Sequence, residues 1–322
     1  MKRFVLARSS AMMKTKRELL FAVTMLAVPF LMNSCRSRIH EIPDYDDPDK
    51  VQVNICVNSI EQIPFSSLKT KASVQDVCTK LSYAVFSEVG ESGVKEDYAV
   101  QNIDDPQFGT VSLKLGVGKH YLAVVGQNGG DGNPSFTTNP ANTTYNSASI
   151  RYSSGNKNTP KVLDTFHYCG EINVEKEGNT YQISLDRSVA MFRLKLTDNI
   201  PEQVSKVEFE YSNGSATLDV LNGYGCVNTK QVEAFDVTPS MDTFELYTFP
   251  QRGKTVMKVK VKAYDMDGNV YSERSWDDIP MTVNRVSQYT GVLFPESGNE
   301  YADAGLVISV NDNWSGIYEQ TF

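Results

Sequence analysis

From Val51 onward the chain alternates apolar and polar residues with a period of two, the pattern of strands that bury one face. VQVNICV at Val51, LSYAVFSEV at Leu81, TVSLKL at Thr110, HYLAVVG at His120, FHYCGEINV at Phe166 and TYQISL at Thr180 each gather apolar residues on one side. A second set follows with SVAMFRLKL at Ser188, KVEFEYS, ATLDVL, TFELYTF and VMKVKVKAYD. In the last of these Lys258, Lys260 and Lys262 oppose Met257, Val259, Val261 and Ala263, which predicts a sheet with one wet side. Asp267-Gly268 then predicts a hairpin turn into NVYSERSW, because glycine tolerates the positive φ of a tight turn. GLVISVNDNW from Gly305 closes the series.

Helical spacing occurs only in SVQDVCTKL, where Val74, Val77, Cys78 and Leu81 recur every three to four residues. Residues 127–160 are rich in Asn, Gly, Ser and Thr without an apolar period, and predict a long functional or mobile loop. Its GQNGGDG lacks the following helix that a phosphate-binding loop requires. The expected fold is all-β, with two tandem antiparallel β-sandwiches over 51–185 and 186–322 and a joint near Leu185 to Ser188.

The first 34 residues change the picture of where this protein resides. Lys2, Arg3, Arg8, Lys14, Lys16 and Arg17 precede an apolar run from Leu19 to Met32, too short to span a bilayer comfortably. Asn33 and Ser34 then lead to Cys35, the arrangement of a bacterial lipoprotein leader, with Met32 in place of the usual leucine three before the cysteine. Residues 1–34 are therefore read as a cleaved signal and Cys35 as the site of N-palmitoyl and S-diacylglyceryl attachment. Met12 or Met13 would give a signal of more conventional length. Residues 35–50, RSRIHEIPDYDDPDK after the cysteine, are acidic, broken by Pro43 and Pro48, and read as a solvated tether. The mature chain of 288 residues keeps 25 basic against 38 acidic residues, a net charge of −13, which argues against a nucleic-acid partner.

Candidate chemistry is sparse. The three histidines are His40 in the tether, His120 opening a strand and His167 within one, and no HExxH or GxSxG motif is present. We expect no enzyme and no cofactor. Cys56, Cys78, Cys169 and Cys226 allow three disulfide pairings or four buried thiols, and spacing alone does not choose. Asp265, Asp267 and Asn269 resemble the opening of a calcium loop, but the glycine falls early and the flanking strands favour a plain turn. Trp276 and Trp314 are candidates for a sugar-stacking platform, although aromatics at strand spacing are more often core. Asn142, Asn213 and Asn313 open N-x-S/T triplets, which in a bacterial lipoprotein are chance.

The early strand ending in a cysteine, HYLAVVGQ, the stretch ISLDRSVAMFRLKLTDNIPEQVSKVEFEY and the closing NDNWSGIYEQTF together resemble the FimB-like fimbrial anchor lipoproteins of Bacteroidetes, in the type V pilus or fimbrillin superfamily. Leu185, Arg187, Val189 and Ala190 match the family's entry to its second domain. The resemblance implies two transthyretin-like sandwiches and a lipid-anchored, outward-facing position on the outer membrane. It also implies other fimbrial subunits as partners through donor-strand β-augmentation, at an edge strand the sequence does not identify. Arg187 is read as an ion pair or cap at the joint. A fimbrial tip or accessory subunit, or a surface glycan-binding lipoprotein, is the alternative.

Overall fold

The computed structural model describes residues 49–61, 73–89, 93–129, 132–138, 143–152, 161–294, 306–307 and 317–321. The first half runs β1 (Lys50–Glu61), α1 (Val74–Val77), β2 (Lys80–Phe86), β3 (Lys95–Asn102), β4 (Thr110–Gly116) and β5 (Gly118–Gln127). It continues through β6 (Asn133–Pro134), α2 (Ser135–Thr138), β7 (Ser149–Arg151), β8 (Thr165–Val174) and β9 (Thr180–Arg187). The second half contains β10 (Ala190–Leu196), β11 (Val204–Ser212), β12 (Thr217–Asp219), β13 (Tyr224–Gly225), β14 (Gln231–Asp236) and β15 (Thr243–Thr248). It ends with β16 (Val256–Asp265), β17 (Val270–Pro280), β18 (Val286–Gly291), β19 (Leu306–Val307) and β20 (Ile317–Thr321).

The expected all-β class is what forms. One seven-stranded sheet has the order β3-β2-β5-β8-β9-β1-β4, and its two outer strands are tied together by Gln101, whose Nε2 donates to Thr110 O at 2.7 Å. The second half builds a five-stranded sheet, β15-β10-β18-β20-β19, and a four-stranded sheet, β14-β11-β16-β17. Most ladders are antiparallel, but β1–β9, β10–β18 and β18–β20 are parallel. The seven- and five-stranded sheets are thus mixed where antiparallel ones were expected, while the two four-stranded sheets are antiparallel throughout; period two records which face is buried and says nothing of strand direction.

Three apolar cores follow from that alternation. Leu81, Tyr83 and Val85 of β2 point into the first with Val53, Ile55, Leu122 and Val124. Ala84 and Phe86, one residue out of step, point the other way into a different core, so β2 is buried on both faces. Phe192, Leu194, Phe209, Phe244 and Val261 fill the core between the two sheets of the second half. The remaining core joins the halves, packing Phe86 and Val125 against Val189, Met191, Leu218, Phe249 and Val286. Each large apolar side chain fully buried there stabilises the joint by roughly 1.5–3 kcal/mol.

Two expectations need correction. The stretch 127–160 is not simply a long loop, since its described parts hold β6, α2, a 3-10 turn at Tyr145–Ser147 and β7. Leu218 of β12 pairs with Ile150 of β7, in a small sheet of order β13-β12-β7-β6 that crosses from one half to the other. Its anchors are single buried side chains, Phe136, Tyr145, Ile150 and Tyr152, too sparse to give a period. The helical spacing at Ser73 yields only the four-residue α1, capped by Ser73 Oγ accepting from Gln75 N, and Leu81 belongs to β2. Strands β3, β14 and β18 went unread because KEDYAVQN, QVEAFD and VSQYTG carry few apolar residues.

Candidate functional site

The joint between the halves is made by a buried arginine. β9 ends at Arg187 and β10 starts at Ala190, leaving only Ser188 and Val189 between them. Arg187 Nε donates to Asp164 Oδ1 at 2.9 Å, Nη2 to Asp164 Oδ2 at 3.0 Å and Nη1 to Asn284 Oδ1 at 3.1 Å. The guanidinium also lies 5.0 Å from the Phe166 ring centroid. Burial pushes the Asp164 carboxyl upward, and the Arg187 charge pulls it back. This is the ion pair expected of Arg187, and it reaches across the joint to the loop before β18.

His167 lies beside it. Its Nδ1 is 2.8 Å from Ser188 Oγ, and burial lowers its pKa. Gly223, at φ +72°, packs so tightly that a Cβ there would sit 2.5 Å from His167 Cε1. His120 is equally committed, with Nδ1 against Glu96 Oε2 and Nε2 2.8 Å from Gly116 O. Among the described residues no three His, Cys, Asp or Glu side chains gather to hold a metal ion.

Asp265, Asp267 and Asn269 occupy the hairpin turn between β16 and β17. Asp265 Oδ1 accepts from the backbone N–H groups of Asp267 at 3.0 Å and Asn269 at 2.8 Å, which lowers its pKa, and Gly268 takes φ +83°. The carboxylate is spent on closing the turn. Trp276 is half-buried and packs against the core of the second half, 5.9 Å from Phe192 and 5.5 Å from Tyr289 between ring centroids. Cys56, Cys78, Cys169 and Cys226 are free thiols. Cys35, the tether with His40, Asn142, Asn313 and Trp314 lie outside the described residues.

The sequence reading missed a buried polar chain. Tyr211 O–H donates to Glu233 Oε1 at 2.6 Å and accepts from Gln231 Nε2 at 2.9 Å, while Thr248 Oγ1 donates to Gln231 Oε1 at 2.8 Å. Lys161 Nζ stands 3.2 Å from Glu233 Oε2, an ion contact without hydrogen-bond alignment. Burial raises the Glu233 pKa. One signal was available, since Gln231 and Glu233 share the inward parity of Phe235.

Sheet edges decide where another chain can add a strand. β3 and β4 are tied by Gln101, and Tyr247 of β15 is bridged by Val162. β17 is bulged at two points along β16 and carries Asp277 and Glu273 paired to Lys258 and Lys260. β18 differs from these. It pairs with β10 on one side, and on the other with β20 in parallel from Val286↔Ile317 to Thr290↔Thr321. Among the described residues, β20 in turn meets β19 at Leu306 and Val307.

The chain matches the model for fimbrillin-A associated anchor proteins Mfa1 and Mfa2 across residues 66–318, and it belongs to that family. Similar solved structures include the fimbrial anchor protein Mfa2 from Porphyromonas gingivalis, at 10% identity and TM-score 0.42, covering 70% of this chain and 82% of that one. A fimbrial assembly protein from Parabacteroides distasonis is 11% identical at TM-score 0.40, covering 76% and 92%. A candidate adhesin from Bacteroides ovatus is 12% identical at TM-score 0.49, covering 71% and 76%. No curated protein matches the chain.

Proposed function

We propose that this chain is a non-catalytic base subunit that roots a fimbrium in the outer membrane through lipid on Cys35. The observation that carries the reading is membership of the anchor family over 66–318. The leader ending at Cys35 and the acidic tether supply the attachment, and the histidines held by Glu96, Gly116 and Ser188 leave no free acid–base pair among them. Residues 51–185 and 186–322 act as two β-domains fused through their shared core. Mass spectrometry of protein extracted from outer membranes tests the anchor directly: a lipidated Cys35 at the mature N-terminus is expected. An N-terminus cut downstream of Cys35, with the protein incorporated along the shaft, would identify a polymerising subunit and overturn the reading.

The partner is a fimbrial subunit, and the edge it engages is that of β18. A parallel ladder is slightly less stable per residue than an antiparallel one, so an incoming antiparallel strand gains by displacing β20. Gln288 and Glu319 are direct Cα partners, which makes them the place for a disulfide staple. The variant Gln288→Cys with Glu319→Cys should lose subunit capture when oxidised and regain it on reduction. Capture that is indifferent to the staple would exclude this edge.

A further inference from the structure

A second, separate site lies at the opposite kind of surface, where three turns meet. Gly225 N donates to Pro250 O at 2.8 Å, and Met281 N donates to Thr255 O at 2.7 Å. These bonds draw together the β12–β13 turn, the 250–255 loop and the start of the 281–285 loop. Gly225 allows the approach, because a Cβ there would meet Ser215 Cβ at 2.4 Å and Phe249 O at 2.7 Å. Gln251 fixes the floor through Nε2, which donates to Asn213 O at 3.0 Å and Gly214 O at 2.9 Å. The resulting hollow is an open depression with a volume of about 440 Å³.

In a chain of net charge −8 none of the residues lining this hollow is acidic, while Arg252 and Lys254 both line it. Arg252 lies 5.3 Å from the centroid of the half-exposed Tyr224 ring and has no carboxylate partner among the described residues. Lys254 Nζ donates to Asn228 Oδ1 at 3.1 Å, a neutral partner that leaves its charge uncompensated. Gly253, at φ +78°, lets the turn present both cations on either side of it.

We propose that this hollow binds a carboxylate-bearing sugar residue. The guanidinium fork matches a carboxylate bidentately, the Tyr224 face offers a stacking surface, and the Thr255 and Thr282 side chains offer hydroxyl partners. An acidic peptide fits less well, because the one strand among the lining residues, β13, is two residues long and its Gly225 is already bridged to Gln251, which leaves little ladder for a peptide backbone to pair with. Uronic and sialic acids share this chemistry. The site is independent of the β18 edge, so failure of one leaves the other standing.

The test is titration calorimetry of the purified full-length protein with sialyllactose, lactose, digalacturonic acid, its methyl ester and hexaglutamate. Binding of at least one acidic sugar is expected, with its neutral counterpart at least tenfold weaker, and the preferred acid names the source. Arg252→Gln should weaken binding roughly tenfold or more, as befits loss of a charge-assisted pair, and Tyr224→Ala should weaken it severalfold. Both side chains are exposed, so circular dichroism should show unchanged folding. Equal binding of lactose or the ester, hexaglutamate binding as well as the sugars, indifference to both substitutions, or no binding of either acid would each overturn the proposal.

Discussion

Arg187→Ala is the most informative single change. The Arg187 side chain is 4% exposed and that of Asp164 14%, so water can replace little of what is removed. Truncation deletes two hydrogen bonds to Asp164 and one to Asn284, and strands a carboxylate whose pKa burial already raises. Breaking a buried pair from one side costs about 3–5 kcal/mol, far more than an exposed pair is worth. Urea unfolding followed by far-UV circular dichroism should show the midpoint falling by roughly 1–2 M. Removing both charges, with Arg187→Met and Asp164→Leu together, should lose much less, because no uncompensated charge remains. A loss below about 1 kcal/mol for Arg187→Ala, or a double variant as unstable as the single one, would refute the argument.

Glu233→Gln tests the buried polar chain through pH. Burial lifts the folded-state pKa of Glu233 above its unfolded value, so the folded form holds the proton longer and stability falls as pH rises through that window. The variant should flatten this fall in urea titrations from about pH 4 to pH 7; an unchanged slope counts against it. Gly223→Ala combines a positive φ with a collision against His167, and should cost about 3 kcal/mol in thermal unfolding, partly recovered by adding His167→Ala. A loss near zero would mean that the β12–β13 turn is free to move. Ile55→Pro, in the middle of β1, removes a ladder donor between Val111 and Tyr181 and should lower the force needed to unfold the protein when pulled from its N-terminal end. Single-molecule pulling would check it, and an unchanged force would exclude β1 as the loaded strand.

How much of this was legible depended on whether the signal was local. β16 could be read directly, since its lysines and apolar residues alternate without a break. Arg187 was expected to be an ion pair or cap because of its place at the joint, and in the structure it falls on the inward parity of Ile183 and Leu185. Its partners were not legible, because Asp164 lies 23 residues before it and Asn284 97 residues after it, and no local rule links such distances. β18 hid for a different reason: Val286, Ser287 and Tyr289 are buried, but a buried serine breaks the apolar pattern, and its Oγ instead donates to Pro280 O. The core shared between the halves was spread over isolated aromatics in a polar stretch, each uninformative until Leu218 is found opposite Ile150.

If the chain is tethered at Cys35, as proposed above, the strand order has a mechanical consequence. Tension would enter the fold at Lys50, the start of β1. β1 lies between β4 and β9, paired over seven residues with each, and its ladder with β9 is parallel. β9 then continues through Ser188 and Val189 into β10, which lies parallel to β18 over six pairs. A load that pulls β1 from its beginning and β9 from its end acts on parallel strands from opposite ends, so the strands must slide. Sliding requires the rungs to yield together, whereas antiparallel neighbours pulled at adjacent ends would unzip rung by rung. Forced unfolding is governed by the barrier and not by equilibrium stability, so the arrangement resists load without requiring an unusually stable fold. Arg187 sits where the path turns from one sheet to the next, clamped to Asp164 and Asn284. On the proposed reading, a mixed sheet is what would carry load from a lipid on Cys35 to the edge of β18.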